Sequence, residues 1–214
     1  LYFIHNILLI ILKKVLQIFI KFNINYWITT GTLLGCIREG GIIDHDDDID
    51  LCIFKNDYNI LKEQKVIEYA TALGLSFKIN DNIIKYELLT EEDHYNYIFI
   101  DVFSCEKIND KINYTYENHR DYWPNEFCYE DELLPIIKGF LNDIEVNIPN
   151  NSIKIIRRIF GEDWKIPFIS HDHYGEINVN FDFKFNKRWN ILDWNNIHSY
   201  NEYRNQIMNI DNIN

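Results

Sequence analysis

Hydrophobic and polar positions divide this chain into segments of different period. Leu1 to Phe22 is strongly apolar and is interrupted by Lys13-Lys14 and Gln17. This predicts a helix over residues 3–22 with a broad apolar face, and the Asn-rich run Asn23-Ile24-Asn25 stops it. The interruptions leave it short of the ~20 uninterrupted apolar residues that a membrane span needs, so a packed amphipathic helix is expected. Tyr26 to Thr29 then reads as a short strand that delivers Gly31, and Gly31 to Ile37 turns into a helix. Ile49 to Phe54 has the alternation of a strand entering a core.

Further along, Asp57 to Leu73 predicts one helix, with Gly74 as its C-terminal cap. Leu75–Asn80 and Ile83–Leu89 predict a hairpin across Asp81-Asn82. Tyr97 to Phe103 is an apolar strand containing one charge, Asp101. Residues 104–132 are polar, aromatic and irregular. A second hairpin, Ile137–Leu141 with Ile144–Ile148, turns over Asn142-Asp143. Pro149-Asn150-Asn151-Ser152 caps a helix, Ile153 to Phe160, ended by Gly161. Residues 174–214 are polar and aromatic, with a helix from about Asn196. The plan is a single domain over residues 1–170 with a C-terminal extension, 171–214, packed on it.

Charge narrows the function. The formal net charge is -12, so the basic footprint of a nucleic-acid binder is absent and no nucleic-acid partner is expected. The four cysteines, Cys36, Cys52, Cys105 and Cys128, form no CxxC pair and read as reduced structural residues. Two metal-like groupings remain on paper: Cys105, His119 and Cys128, should they converge, and His171 with His173. No targeting signal is visible. A cytoplasmic location is favoured, and the secretory pathway applies if an anchor lies upstream of Leu1.

The chemistry concentrates between Tyr26 and Phe54. This stretch carries Gly31-Thr32, Arg38, Gly40-Gly41 and five aspartates: Asp44, Asp46, Asp47, Asp48 and Asp50. Carboxylates this close repel one another unless a cation or hydrogen-bond donors compensate. On a strand, Asp48 and Asp50 share one face, and such a pair makes half of a site for a hard cation such as Mg²⁺ or Mn²⁺. Asp101 is the natural third carboxylate, because a lone buried charge needs a partner or a metal. The start of the helix after Gly31 suits a phosphate, and the glycine permits close approach. Arg38 reads either as a surface arginine paired with an aspartate or as a phosphate clamp. An EF-hand fails, since Ile49 replaces the required Gly and Lys55 stands where the bidentate Glu belongs.

Gly31-Thr32 followed by Asp48-Ile49-Asp50-Leu51 resembles the nucleotidyltransferase-fold signature. The fuller string YWITTGTLLGCIREGG…DDDIDL, the strand around Ile100-Asp101-Val102-Phe103, and the block LLPIIKGFLNDIEVNIPNN…IIRRIFGEDWKIP resemble the LicD family of fukutin-type phosphotransferases. Where that family reads Pro-Trp before its acidic run, this chain has Asp44-His45. The resemblance covers roughly residues 26–167. It implies an α+β nucleotidyltransferase-like fold, a small mixed sheet flanked by helices. It also implies Asp48, Asp50 and Asp101 as catalytic metal ligands, and Gly31, Thr32 and Arg38 on the phosphate; two divalent ions are expected, both held by Asp48 and Asp50 and one of them by Asp101. The implied reaction passes a phospho-alcohol from a CDP-activated donor to a glycan or glycoconjugate acceptor. Nucleotide-monophosphate transfer and a non-catalytic cation-binding role are the alternatives. Membrane association is left undecided.

Overall fold

The computed structural model describes residues 2–44, 46–89 and 98–166. The C-terminal extension 171–214, with its predicted helix from about Asn196, and the pair His171/His173 lie outside them, as does His45. Residues 1–159 form one compact unit, and a second begins at Phe160.

The first helix, α1 (Tyr2–Phe22), buries Leu8, Ile11, Leu12, Val15 and Ile18 completely. That three-to-four residue spacing is what aligns them on one face. By length and composition Phe3–Phe22 suffices to cross a membrane, yet this stripe is part of the folded core. The strands are β1 (Tyr26–Ile28), β2 (Ile49–Phe54), β3 (Leu75–Asn80), β4 (Ile83–Leu88), β5 (Phe99–Ile108), β6 (Lys111–Tyr114) and β7 (Cys128–Tyr129). They form one mixed sheet in the order β1-β2-β5-β4-β3, with β6 pairing β5 and β7. β2 and β5 run parallel, and the other pairings are antiparallel. Two short helices, α3 (Lys55–Leu61) and α4 (Gln64–Ala72), begin the crossover between the parallel strands.

These helices correct one expectation. The segment 57–73 is two helices, because Glu63 is extended at φ -69°, ψ 139°. Lys62, Glu63, Gln64 and Lys65 are four exposed residues in succession, so no core contact holds a continuous helix across them. Gly74, at φ +76°, ends α4 as expected. Residues 104–132 give a second correction. They are not irregular: β5 continues to Ile108 and turns at Asn109 (φ 57°) into β6. After β6 come α5 (Glu117–Tyr122), β7 and α6 (Glu130–Leu133).

A separate hairpin, β8 (Ile137–Leu141) and β9 (Ile144–Ile148), leads to α7 (Ser152–Phe160). Its turn anchors the acidic segment. Asn142 N–H donates to the Gly40 carbonyl at 2.8 Å, and Ile42 N–H donates to Asn142 Oδ1 at 3.1 Å. The helix α2 (Thr30–Arg38) meets the anchored segment at Gly35, where a Cβ would stand 2.4 Å from the Gly41 carbonyl oxygen. Only glycine fits there.

Candidate active site

The parallel pairing of β2 with β5 places Asp50 opposite Asp101. The antiparallel pairing of β5 with β4 places Lys85 opposite Asp101 in turn. Residues paired across neighbouring strands share a face, so Asp50, Asp101 and Lys85 form a row across three strands. Ile49, Leu51 and Ile53, on the other face of β2, are fully buried. Asp48 joins the row from the loop. Asp48, Asp50 and Asp101 each bring a carboxylate oxygen within 4.8 Å of the others. Asp46 and Asp47 make a second such group with Asp48. Three of the expected site residues are therefore brought together.

The start of α2 holds this row in place. Thr29 N–H donates to the Asp50 carbonyl at 3.2 Å, and Asp50 N–H donates to the Thr32 hydroxyl at 2.8 Å. The Thr30 hydroxyl donates to the Asp50 carboxylate. Thr30 does this from φ +48°, a left-handed conformation that a β-branched residue rarely adopts; such strain costs of order 1–3 kcal/mol and clusters at functional sites. Gly31 gives the acidic loop room: a Cβ there would lie 2.9 Å from an Asp46 carboxylate oxygen. Thr32 is 2% exposed and serves the Asp50 backbone. Arg38 ends α2, about 12 Å of helix rise from Thr30. Its guanidinium contacts the Glu39 carboxylate at 2.6 and 3.0 Å with its side chain 4% exposed.

Electrostatics mark the row as strained. Burial, then the charges of Asp48 and Asp101, push the Asp50 carboxyl well above the usual carboxylate range, against the Thr30 hydrogen bond. Lys85 Nζ donates to both Asp101 oxygens, at 2.8 and 2.9 Å. A fourth acid stands nearby: Glu126 accepts a 2.6 Å hydrogen bond from the Tyr114 hydroxyl, and burial raises it to about 7. Glu126 also lines a small cavity of about 20 Å³ with Trp27, Thr29, Cys52 and Phe127, room for about one water. Thr30, Lys85 and Glu126 escape sequence reasoning. Lys85 alone left a signal, as a charge between Ile84 and Tyr86 on a strand.

The other candidates resolve as structure. All four cysteines are buried and free. Cys105, His119 and Cys128 make no ligand cluster among the described residues. His119 instead bonds the Asp81 carbonyl at 2.7 Å and packs among Phe103, Tyr114, Tyr116 and Trp123. Of the aromatic residues between 116 and 127, Tyr122 is 77% exposed.

A curled mixed sheet with carboxylates at matched register on its two parallel strands, beside a Gly-turn helix start, is a nucleotidyltransferase-like α+β fold. Residues 23–151 match the family described as LicD/FKTN/FKRP, nucleotidyltransferase domain, and the chain belongs to the LicD family. An uncharacterised protein of Rickettsia prowazekii is 34% identical over 165 residues, 76% of this chain and 57% of that protein. The ribitol-5-phosphate transferase FKTN of Mus musculus is 26% identical over 198 residues, 86% of this chain and 39% of that protein. The chain thus spans about half the length of these relatives or less. The solved structure of ANT(2″)-Ia in complex with adenylyl-2″-tobramycin aligns at a TM-score of 0.42 and 15% identity, covering 65% of this chain and 67% of that one.

Proposed function

We propose that the protein is a cation-dependent transferase that moves a phospho-alcohol, of the phosphocholine or ribitol-phosphate type, from a CDP-linked donor to a glycan acceptor. The observation that carries this reading is the convergence of Asp48, Asp50 and Asp101 within 4.8 Å in a chain of this family. Their donor set fits Mg²⁺ or Mn²⁺: hard carboxylate oxygens, crowded enough that burial and the Asp48 and Asp101 charges raise the Asp50 carboxyl even with Lys85 on Asp101. Asp48, Asp50 and Asp101 would hold the cation, which when bound would neutralise charge on the donor diphosphate and on the departing nucleotide.

The rest falls to the protein's own groups. The acceptor hydroxyl oxygen attacks the phosphorus carrying the alcohol. A P–O bond forms to the glycan, the P–O bond to the CMP oxygen breaks, and CMP leaves with that electron pair. A carboxylate of the row, Asp101 in this reading, takes the hydroxyl proton. For the Gly31–Thr32 helix start to take the phosphate, the Asp46 carboxylate beside Gly31 must give way to it. For Arg38 to clamp a phosphate, its guanidinium must exchange the Glu39 carboxylate for the phosphate oxygens.

Release of CMP from a panel of CDP-alcohols, with Mg²⁺ or Mn²⁺ and with EDTA, tests the reading beside an Asp48→Asn/Asp50→Asn variant. Cation-dependent release that the variant lacks supports it. Nucleotide left covalently on the acceptor, with no free CMP, replaces it by nucleotidyl transfer.

A further inference from the structure

Lys85 is the group that the reaction outlined above does not use. Its ammonium bonds both oxygens of Asp101, at 2.8 and 2.9 Å. The pair is shielded, with side chains 17% and 9% exposed. The ammonium also lies 3.5 Å from the centre of the Phe99 ring, a contact that holds a cation in place. The choice of partner is selective. Glu87, two residues along β4, is 4% exposed and is taken at 2.6 Å by Lys78, which stands opposite Lys85 on β3. Lys85 is left to Asp101, and the cross-strand register carries its charge towards Asp50.

We infer that Lys85 is a fixed cation of the site, taking the Asp101 side of the carboxylate row so that the protein binds one divalent ion, at Asp48 and Asp50. This rests on the cation-binding reading above. A carboxylate has about four lone-pair sites, so Asp101 can still lend an oxygen to that ion. A second divalent ion on the Asp101 side would face the ammonium at short range and be repelled. Lys85 is then a positioning residue: it orients Asp101 and sets the number of mobile cations.

The test counts Mn²⁺ bound per chain by electron paramagnetic resonance, with Asp48→Asn/Asp50→Asn as the blank. One ion is expected for wild type, two for Lys85→Met, and one again for Lys85→Arg. Two ions of similar affinity in wild type overturn the inference while leaving the cation site standing. A Lys85→Met count that stays at one overturns it too, since a merely structural ion pair leaves stoichiometry unmoved. Wild type binding no more than the blank removes the cation reading itself, and this inference with it. The wild-type count stands alone if Lys85→Met fails to fold.

Discussion

Among the described residues, the acids around Glu132 and those of the Asp48–Asp50–Asp101 row are compensated differently. At Glu132, which is fully buried, every charge is answered. Arg158 donates to both its oxygens at 2.6 and 2.8 Å, Lys154 approaches to 2.8 Å, and Tyr129 N–H donates at 3.0 Å. Burial raises the Glu132 carboxyl, but the hydrogen bonds from Arg158, then Lys154 and Tyr129, outweigh it and leave the carboxyl below its usual range. In the Asp48–Asp50–Asp101 row the compensation is uneven: Lys85 answers Asp101. Burial and two neighbouring carboxylates hold Asp50 up, with a Thr30 hydroxyl as partial relief. A cluster that neutralises itself fastens α6 to α7. A cluster in which Asp50 stays disfavoured as a charge is one that the proposed cation would complete.

The largest test of that contrast is the row itself. In Asp48→Asn/Asp50→Asn, turnover should fall at least about 1,000-fold, the scale of losing several kcal/mol of charge stabilisation. Stability should move the other way. Above the unfolded carboxyl's pKa, the folded protein must either keep a proton that the unfolded chain has released or ionise a group that burial and its neighbours disfavour, so Asp50→Asn should raise the melting temperature in EDTA at neutral pH. A lower melting temperature without cation would make the row a structural cluster like Glu132.

The converse variant is Arg158→Met. It strands Glu132 with one fewer cation, and removing one partner of a buried pair costs about 3–5 kcal/mol. Urea unfolding should show that loss, while Mn²⁺ affinity at Asp48 and Asp50 stays within about twofold. A large drop in affinity would mean the two clusters are coupled.

How much of this contrast was readable in the sequence depends on its range. Asp48-Ile49-Asp50 announces itself locally, because alternation fixes which side chains share a face. Both hairpins were legible from Asp81-Asn82 and Asn142-Asp143, whose positive φ values of 46°, 60° and 54° suit the residues that turn there. Asp101 could be selected as a charge in an apolar strand. Its neighbours could not: that Lys85 meets Asp101, and Arg158 meets Glu132, follows from cross-strand register and from the docking of α7. Thr30 was passed over because Gly31 beside it drew the reading, as the residue that permits close approach of a ligand. The break at Glu63 carried no Gly or Pro. The turn at Asn109-Asp110 was a hairpin signal overlooked inside a polar stretch.

Glu126 lies between the two clusters in character and gives the smallest, sharpest test. It has one strong donor, Tyr114, and a carboxyl raised from 4.5 to about 7 chiefly by burial. The folded state therefore keeps this proton after the unfolded chain has released it. Its contribution to stability is fully present below about pH 4.5, declines as pH rises to about 7, and is then constant. Allowing for partial exposure, the decline should amount to about 2 kcal/mol. Urea unfolding of wild type and Glu126→Gln in EDTA, from pH 4.5 to 8, isolates it. Gln still accepts from Tyr114 but cannot ionise, so the stability difference between the two proteins should shift by that amount across the window in favour of the variant. A pH-independent difference would place Glu126 with Glu132, as a carboxylate the fold already satisfies.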